Sequence, residues 1–335
     1  MKVEKLGYLP ALDGLRGIAI ILVLLTHANF QLGHNGIIGV HIFFALSGFL
    51  ITTLILEEKH TTGNFSFFRF YKRRFLRLIP ALVSLLIIVL LYAVIFQEGS
   101  QKNSLIEEII ASLFYFYNIM WIWDIGKETT LLAHSWSLSV EEQFYLVWPA
   151  FLILFQEKLK KWQFILTMFF LLVGSMVVKH IGVVGLIYNS LIHEAIFFGC
   201  LAGLTRFFYP NLYFDWRLGS ILLVFIAFIG IFPSSFVQVY LTESFVGIFG
   251  ILTSLIILGL FSLPSNLLTT HLSNPLLVFI GKISYSLYLW HVPIFKWFKQ
   301  YSIFEPWVSF FLKFLITFLL ATFSWRVLEV KFRIR

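Results

Sequence analysis

Ten apolar runs long enough to span a bilayer divide the chain, near residues 14–34, 37–56, 75–97, 138–156, 163–181, 190–208, 217–234, 242–262, 277–297 and 307–329. An eleventh apolar stretch, near 105–123, opens with Glu107 and Glu108 and carries Asn118, so hydropathy alone does not decide whether it spans. The distribution of basic residues does. Ten spans counted from a cytoplasmic N-terminus put Lys59 with Arg69 to Arg77, Lys158 with Lys160 and Lys161, Arg206 with Arg217, and Arg326 to Arg335 on one side. An eleventh span would turn every later cluster outward. Residues 98–136 therefore read as an external segment with one interfacial or re-entrant helix, rich in Phe, Tyr and Trp. The expected fold is all-α: a polytopic membrane helical bundle of about ten transmembrane helices plus one external helix. With no internal repeat, low-complexity tract or linker, residues 1–335 read as a single integral-membrane domain without a soluble appendage. Its N- and C-termini are both expected in the cytoplasm.

Composition agrees with that pattern. Hydrophobic residues make up 59% of the chain, charged residues 13%, and the mean hydropathy is +0.88, outside the range of soluble domains. No small-residue cleavage site follows the first apolar run, so the first helix is expected to stay. The single cysteine, Cys200, excludes an internal disulfide and reads as a small packing residue in Phe-Phe-Gly-Cys-Leu-Ala-Gly. The formal charge of +8 sits at helix ends rather than along one soluble face, which argues for topology and against nucleic acid.

Ionisable groups inside apolar runs mark pathways or reaction centres. Arg16 and His27 bound the first run on nearly one helix face, roughly 16 Å apart, which puts His27 near mid-membrane. In the second run Ser47-Gly48 permits close helix approach. Arg74 and Arg77, at i and i+3 beside Arg73, share a face at the cytoplasmic end of the third run; paired guanidinium forks suit a phosphorylated ligand. Pro80, one turn on, is expected to kink that helix. Glu141 and Glu142 lie one turn into the fourth run from outside and cannot share a face, so one should point inward. Glu142 is placed roughly 6 Å inside the outer boundary, within reach of His27 across a cavity. Ser284, Tyr288 and His291 form a polar stripe that must face protein or water. Lys313, His193 with Glu194, and Glu329 are further ionisable residues in or beside runs.

These residues carry a resemblance. Arg16-X10-His27, Gly39-Val-His-Ile-Phe-Phe-Ala-Leu-Ser-Gly-Phe-Leu-Ile51, Arg73-Arg74-x-x-Arg77-x-x-Pro80, Trp136-Ser-Leu-Ser-Val-Glu-Glu-Gln-Phe-Tyr145 and Ile283-Ser-Tyr-Ser-Leu-Tyr-Leu-Trp-His291 resemble the acyltransferase-3 family of membrane O-acyltransferases. The five blocks stand in family order and cover nearly the whole chain. The resemblance implies transfer of an acyl group, most often acetyl, from cytosolic acyl-CoA to hydroxyls of bacterial surface glycans, in the inner (cytoplasmic) membrane. It makes His27, Glu142 and Arg16 the expected catalytic residues. Arg73, Arg74 and Arg77 become candidates for donor binding, and Ser47, Trp136, Ser137, Tyr145, Tyr288 and His291 for further substrate contacts. Two positions depart from the pattern: His41 stands where the family often has Asp, and Val330-Lys331 follows Glu329 in place of x-Pro.

The expected partners are acyl-CoA as donor substrate, a glycan or lipid-linked glycan as acceptor, and the bilayer, with a homodimer or partner protein left open. Neither a permanently bound cofactor nor a metal is expected. His27 is expected to act as general base on the acceptor hydroxyl, with Glu142 orienting its ring. Two rivals come from other classes. A transporter or flippase of a lipid-linked glycan would also need intramembrane charge, but it favours inverted repeats that the sequence lacks. A purely structural partner in a polysaccharide assembly leaves the polar stripe unexplained.

Overall fold

The computed structural model describes residues 5–28, 35–123, 129–155, 158, 160–180, 193–212, 214–231, 246–262, 266–301 and 305–332. Among these residues there are helices and turns and no strand. The helices are α1 (Pro10–His27), α2 (Ile37–Thr62), α3 (Phe67–Phe96), α4 (Gly99–Leu113), α5 (Tyr117–Trp123), α6 (Ser135–Phe155) and α7 (Lys161–His180). They continue with α8 (Glu194–Phe208), α9 (Trp216–Ile231), α10 (Val246–Gly259), α11 (Leu267–Leu272), α12 (Pro275–Lys282), α13 (Ser284–Tyr301) and α14 (Pro306–Ser324), the last running into a π-helical turn, Trp325–Glu329.

The chain is a multi-pass membrane protein of the expected all-α class. Five helices, α1, α2, α3, α6 and α14 with its π turn, are each long and apolar enough to cross a membrane, and α12 with α13 makes a sixth if counted as one broken span. Three shorter apolar helices are α9 and the stretches 161–174 and 247–259. Neither α4 nor α5 has that length and apolarity, so the stretch near 105–123 is two short helices and not one span.

Local chemistry moves several boundaries away from those that hydropathy gives. Gly63, at φ +79, ends α2, and the Ser66 side chain accepts from the Arg69 N–H at 3.3 Å to start α3. The third helix therefore begins eight residues before its apolar run and carries the basic cluster on regular helix. Pro80 lies inside this continuous helix. The run 277–297 is interrupted at Ile283, and α1 ends at His27, while the expected extension to 29–34 lies outside the described residues.

The chain divides into two compact units, Met1–Phe65 with Phe144–Lys282 and Ser66–Gln143 with Ile283–Arg335. In the first, α1, α2, α8, α9, α10 and α11 share a core that includes Leu15, Ile42, Phe49, Ile256 and Leu268. Lipid tails are as apolar as leucine, so close backbone approach matters more here than removal from water. A Cβ at Gly48 would strike the Ile196 carbonyl, and one at Gly199 the Ala45 carbonyl, so the Ser47-Gly48 step does seat α2 on α8. Glu57 accepts from the Leu6 N–H at 2.7 Å and from Arg206 at 3.3 Å, which ties the N-terminal segment and the end of α8 to α2. The Trp148 indole donates to Thr52 at 2.9 Å.

The second unit packs α3, α4, α5 and α13 around Leu82, Leu85, Val89, Leu105, Tyr117 and Leu289. Glu108, fully buried, organises the segment between α3 and α6: its carboxylate accepts from the Leu132 N–H at 2.7 Å, the Tyr117 hydroxyl at 3.2 Å and the Thr129 hydroxyl. Burial still pushes this carboxyl above its usual range against those donors, and it pushes the Tyr117 hydroxyl up as well, which keeps that donor protonated. A carboxyl raised in the folded state holds its proton longer than in the unfolded chain. Its contribution to stability therefore falls as pH rises from the ordinary carboxyl range through the raised value. Glu108→Gln is expected to flatten that part of the melting profile. Glu108→Ala, which strands several buried donors, is expected to cost about 1–3 kcal/mol for each one left unpaired. Thermal melts of both variants between pH 4 and 8 check this.

Candidate functional site

The basic cluster of α3 splits by exposure. Arg73 faces out, while Arg74 and Arg77, at i and i+3, are half-buried on one stripe as expected. Arg74 Nη2 lies 3.5 Å from Glu142 Oε1 on α6, and its guanidinium stands over the Phe70 ring at 5.8 Å. Arg77 is close enough to add its charge at Glu142. The pair corrects the expected depths. Arg74 sits about 10 Å along α3 from Phe67, and Glu142 about 10 Å along α6 from Ser135, at 1.5 Å per residue. Helices that entered a core of about 30 Å from opposite faces would leave the two roughly 10 Å apart in depth. The ion pair therefore does not fit both expected depths together with the expected orientation. The visible ion-pair partner of Glu142 is Arg74, where His27 was the expected one.

Aromatic hydroxyls surround the pair. Burial, and then the nearby Glu142 charge, hold the Tyr115 hydroxyl above its usual range, and it hydrogen-bonds Tyr285. Tyr285 donates to the Leu78 carbonyl at 2.9 Å, in the turn before Pro80. Tyr115 is held in the left-handed region at φ 55 while its carbonyl accepts from Gln143 at 2.8 Å. Gln143 and Asn118 exchange amide hydrogen bonds of 3.0 and 3.1 Å, so α5 and α6 fix each other beside the ion pair. The π turn after α14 carries Glu329 inward to accept from Ser286 at 2.6 Å, and Ser286 is 3.1 Å from Ser324. Sequence reasoning missed Tyr115 and Tyr285, and took Glu329 only as an ionisable residue near a run.

The stripe on α13 is buried as expected. Tyr288 lies 2.7 Å from the Ser137 hydroxyl and donates to the His134 carbonyl at 3.1 Å. His291 stands 5.4 Å, ring to ring, from His134, and its Nδ1 is 2.6 Å from the Tyr288 carbonyl. Trp136 packs against the core of this unit. The structure thus joins Ser137, Tyr288 and His291 into one cluster, to which it adds His134.

The remaining candidates belong to the first unit. Arg16 pairs with Asp13 at 3.0 Å, one turn back on α1. His27 is the last residue of α1, exposed, with Nδ1 2.9 Å from the Val23 carbonyl. Donation from Nδ1 leaves the lone pair of the neutral ring on Nε2. The histidine closes the helix: α1 ends at His27, with Ala28 as its C-cap. Ser47 is half-buried beside Gly48, and Tyr145 is buried against Phe144, 5.5 Å between rings.

Comparison with known proteins gives the family of the chain. The family model described as an acyltransferase domain matches residues 9–326. The chain belongs to the acyltransferase-3 family. The O-acetyltransferase OatA of Staphylococcus aureus strain NCTC 8325 / PS 47 is 33% identical, over 97% of this chain and 57% of its own length, and the OatA of strain COL aligns equally well. The chain thus spans little more than half the length of these curated relatives. No solved structure matches.

Proposed function

We propose that this acyltransferase-3 protein transfers an acyl group, acetyl first among the options, from cytosolic acyl-CoA to a hydroxyl of a surface or exported glycan. It does so in the inner membrane, with both termini in the cytoplasm. Family membership, with the likeness to O-acetyltransferases, supports acyl transfer. The observation that carries the donor assignment is the half-buried Arg74–Arg77 stripe with one carboxylate on it, which keeps net positive charge and two planar forks for phosphates.

In this reading His27 Nε2 takes the acceptor proton as the acceptor oxygen attacks the thioester carbonyl. The carbon–sulfur bond breaks, and the proton passes to the departing sulfur, giving an ester and free CoA. The negative end of the α1 dipole stabilises the imidazolium formed in between. Glu142 holds Arg74, and Arg16, steadied by Asp13, adds positive charge for the donor. The Tyr288–Ser137–His291 cluster is the candidate acceptor contact.

The test is purified protein in nanodiscs with acetyl-CoA, with and without a surface-glycan acceptor. Thiol release that requires the acceptor supports the reading; acceptor crossing the bilayer with acetyl-CoA intact overturns it in favour of a flippase. Orientation is tested separately on a Cys200→Ser background. Single cysteines at positions 60 and 101 are expected to label from the cytoplasmic and external sides respectively, and labelling from one side removes the ten-span orientation.

A further inference from the structure

Within the second unit, a cavity of about 360 Å³ opens between α3, α13 and α14. Leu85, Val89, Trp290, Ile294, Phe298 and Leu320 give it apolar walls, and the polar side chains on it, Tyr92, Lys296 and Gln300, lie toward the ends of α3 and α13. Ile88 and Trp297 on its lining are exposed. Beyond the apolar part, Gln97 donates to the Tyr92 hydroxyl at 2.9 Å, the Tyr92 and Tyr301 hydroxyls are 3.3 Å apart, and Gln300 donates to Tyr301 at 3.0 Å. Lys296 donates to the Thr130 carbonyl and hydroxyl. Lys299 adds positive charge near Lys296, Lys313 stands with its ammonium 5.9 Å from the Phe295 ring, and Glu108 is the carboxylate facing Lys296.

An apolar trough on spanning helices that ends in a cationic, hydroxyl-rich rim has the polarity of an amphiphile and not of a water-soluble ligand. Its volume is at the small end for ligand sites, which suits a single chain. Three lysines against one carboxylate select negative charge at the head, as basic pockets beside membrane helices do. We infer that this cavity holds one acyl chain of an anionic bilayer phospholipid, with the phosphate at Lys296 and Lys299. The site rests on the chain being a membrane protein and is independent of the acyl-transfer reading.

Native mass spectrometry of the detergent-purified full chain tests it, with phosphatidylglycerol and phosphatidylcholine of identical chains as probes. Wild type is expected to retain one phosphatidylglycerol at roughly tenfold lower lipid concentration than phosphatidylcholine, whose choline cancels the phosphate charge that the lysines would attract. Ile88→Trp, which fills the trough from an exposed position, is expected to lose that retention while melting like wild type. Lys299→Gln, an exposed change that spares the Thr130 contacts, is expected to narrow the preference between the two lipids several-fold. Equal retention of both lipids by wild type, or unchanged retention in Ile88→Trp, overturns the inference. Displacement of phosphatidylglycerol by an equimolar polyprenyl phosphate also overturns it, and gives the cavity to a carrier lipid.

Discussion

Replacing His27 by Gln is expected to slow acceptor-dependent CoA release by about two to four orders of magnitude, the usual contribution of a positioned general base. Glutamine approximates the ring's size and can still bond to the Val23 carbonyl that the Nδ1 nitrogen meets at 2.9 Å, so the end of α1 should hold its shape. What it lacks is a lone pair that takes a proton at neutral pH. Binding of acyl-CoA and acceptor should survive, and the melting temperature should stay near that of wild type because the side chain is exposed at a helix terminus. A histidine that served only packing would lose activity and stability together. Steady-state release of free thiol, measured beside thermal melts, separates the two: equal rates for wild type and His27→Gln take His27 out of the mechanism.

How far the site could be read in advance depended on whether its causes were local. The Arg74–Arg77 stripe follows from helical periodicity, and the Ser47-Gly48 approach from the need of membrane helices for small residues, so both were legible. The partner of Glu142 was not, because depth was inferred from run ends and α3 starts at the Ser66 cap, eight residues before its apolar run. The cap and the Gly63 turn are local signals that a hydropathy window averages away. Glu108 was visible only as a charge that left the stretch near 105–123 undecided, and its partners at 129 and 132 lie more than twenty residues on. Only the fold brings them together. Tyr115 gave no sign at all: its left-handed backbone is held by a Gln143 contact across 28 residues. In the first run the helix closes at His27, and the rest of the expected run, residues 29–34, lies outside the described residues.

Arg74→Lys is expected to raise the KM for acyl-CoA by about tenfold or more with little change in kcat, because lysine keeps the charge but loses the planar fork that grips phosphate oxygens in pairs. Glu142→Gln tests what the 3.5 Å ion pair contributes. If the carboxylate acts by holding Arg74 in its donor-binding position, its loss should raise the same KM several-fold and leave kcat alone. The Arg74→Lys/Glu142→Gln double variant should then be no worse than Arg74→Lys by itself, since two residues acting through one contact do not add. Independent roles predict KM effects that multiply. A carboxylate acting directly in the chemistry predicts a fall in kcat for Glu142→Gln that persists in the double variant. The four proteins assayed for acyl-CoA dependence at saturating acceptor distinguish these outcomes, and an unchanged KM in both single variants would return the α3 arginines to the role of topology anchors.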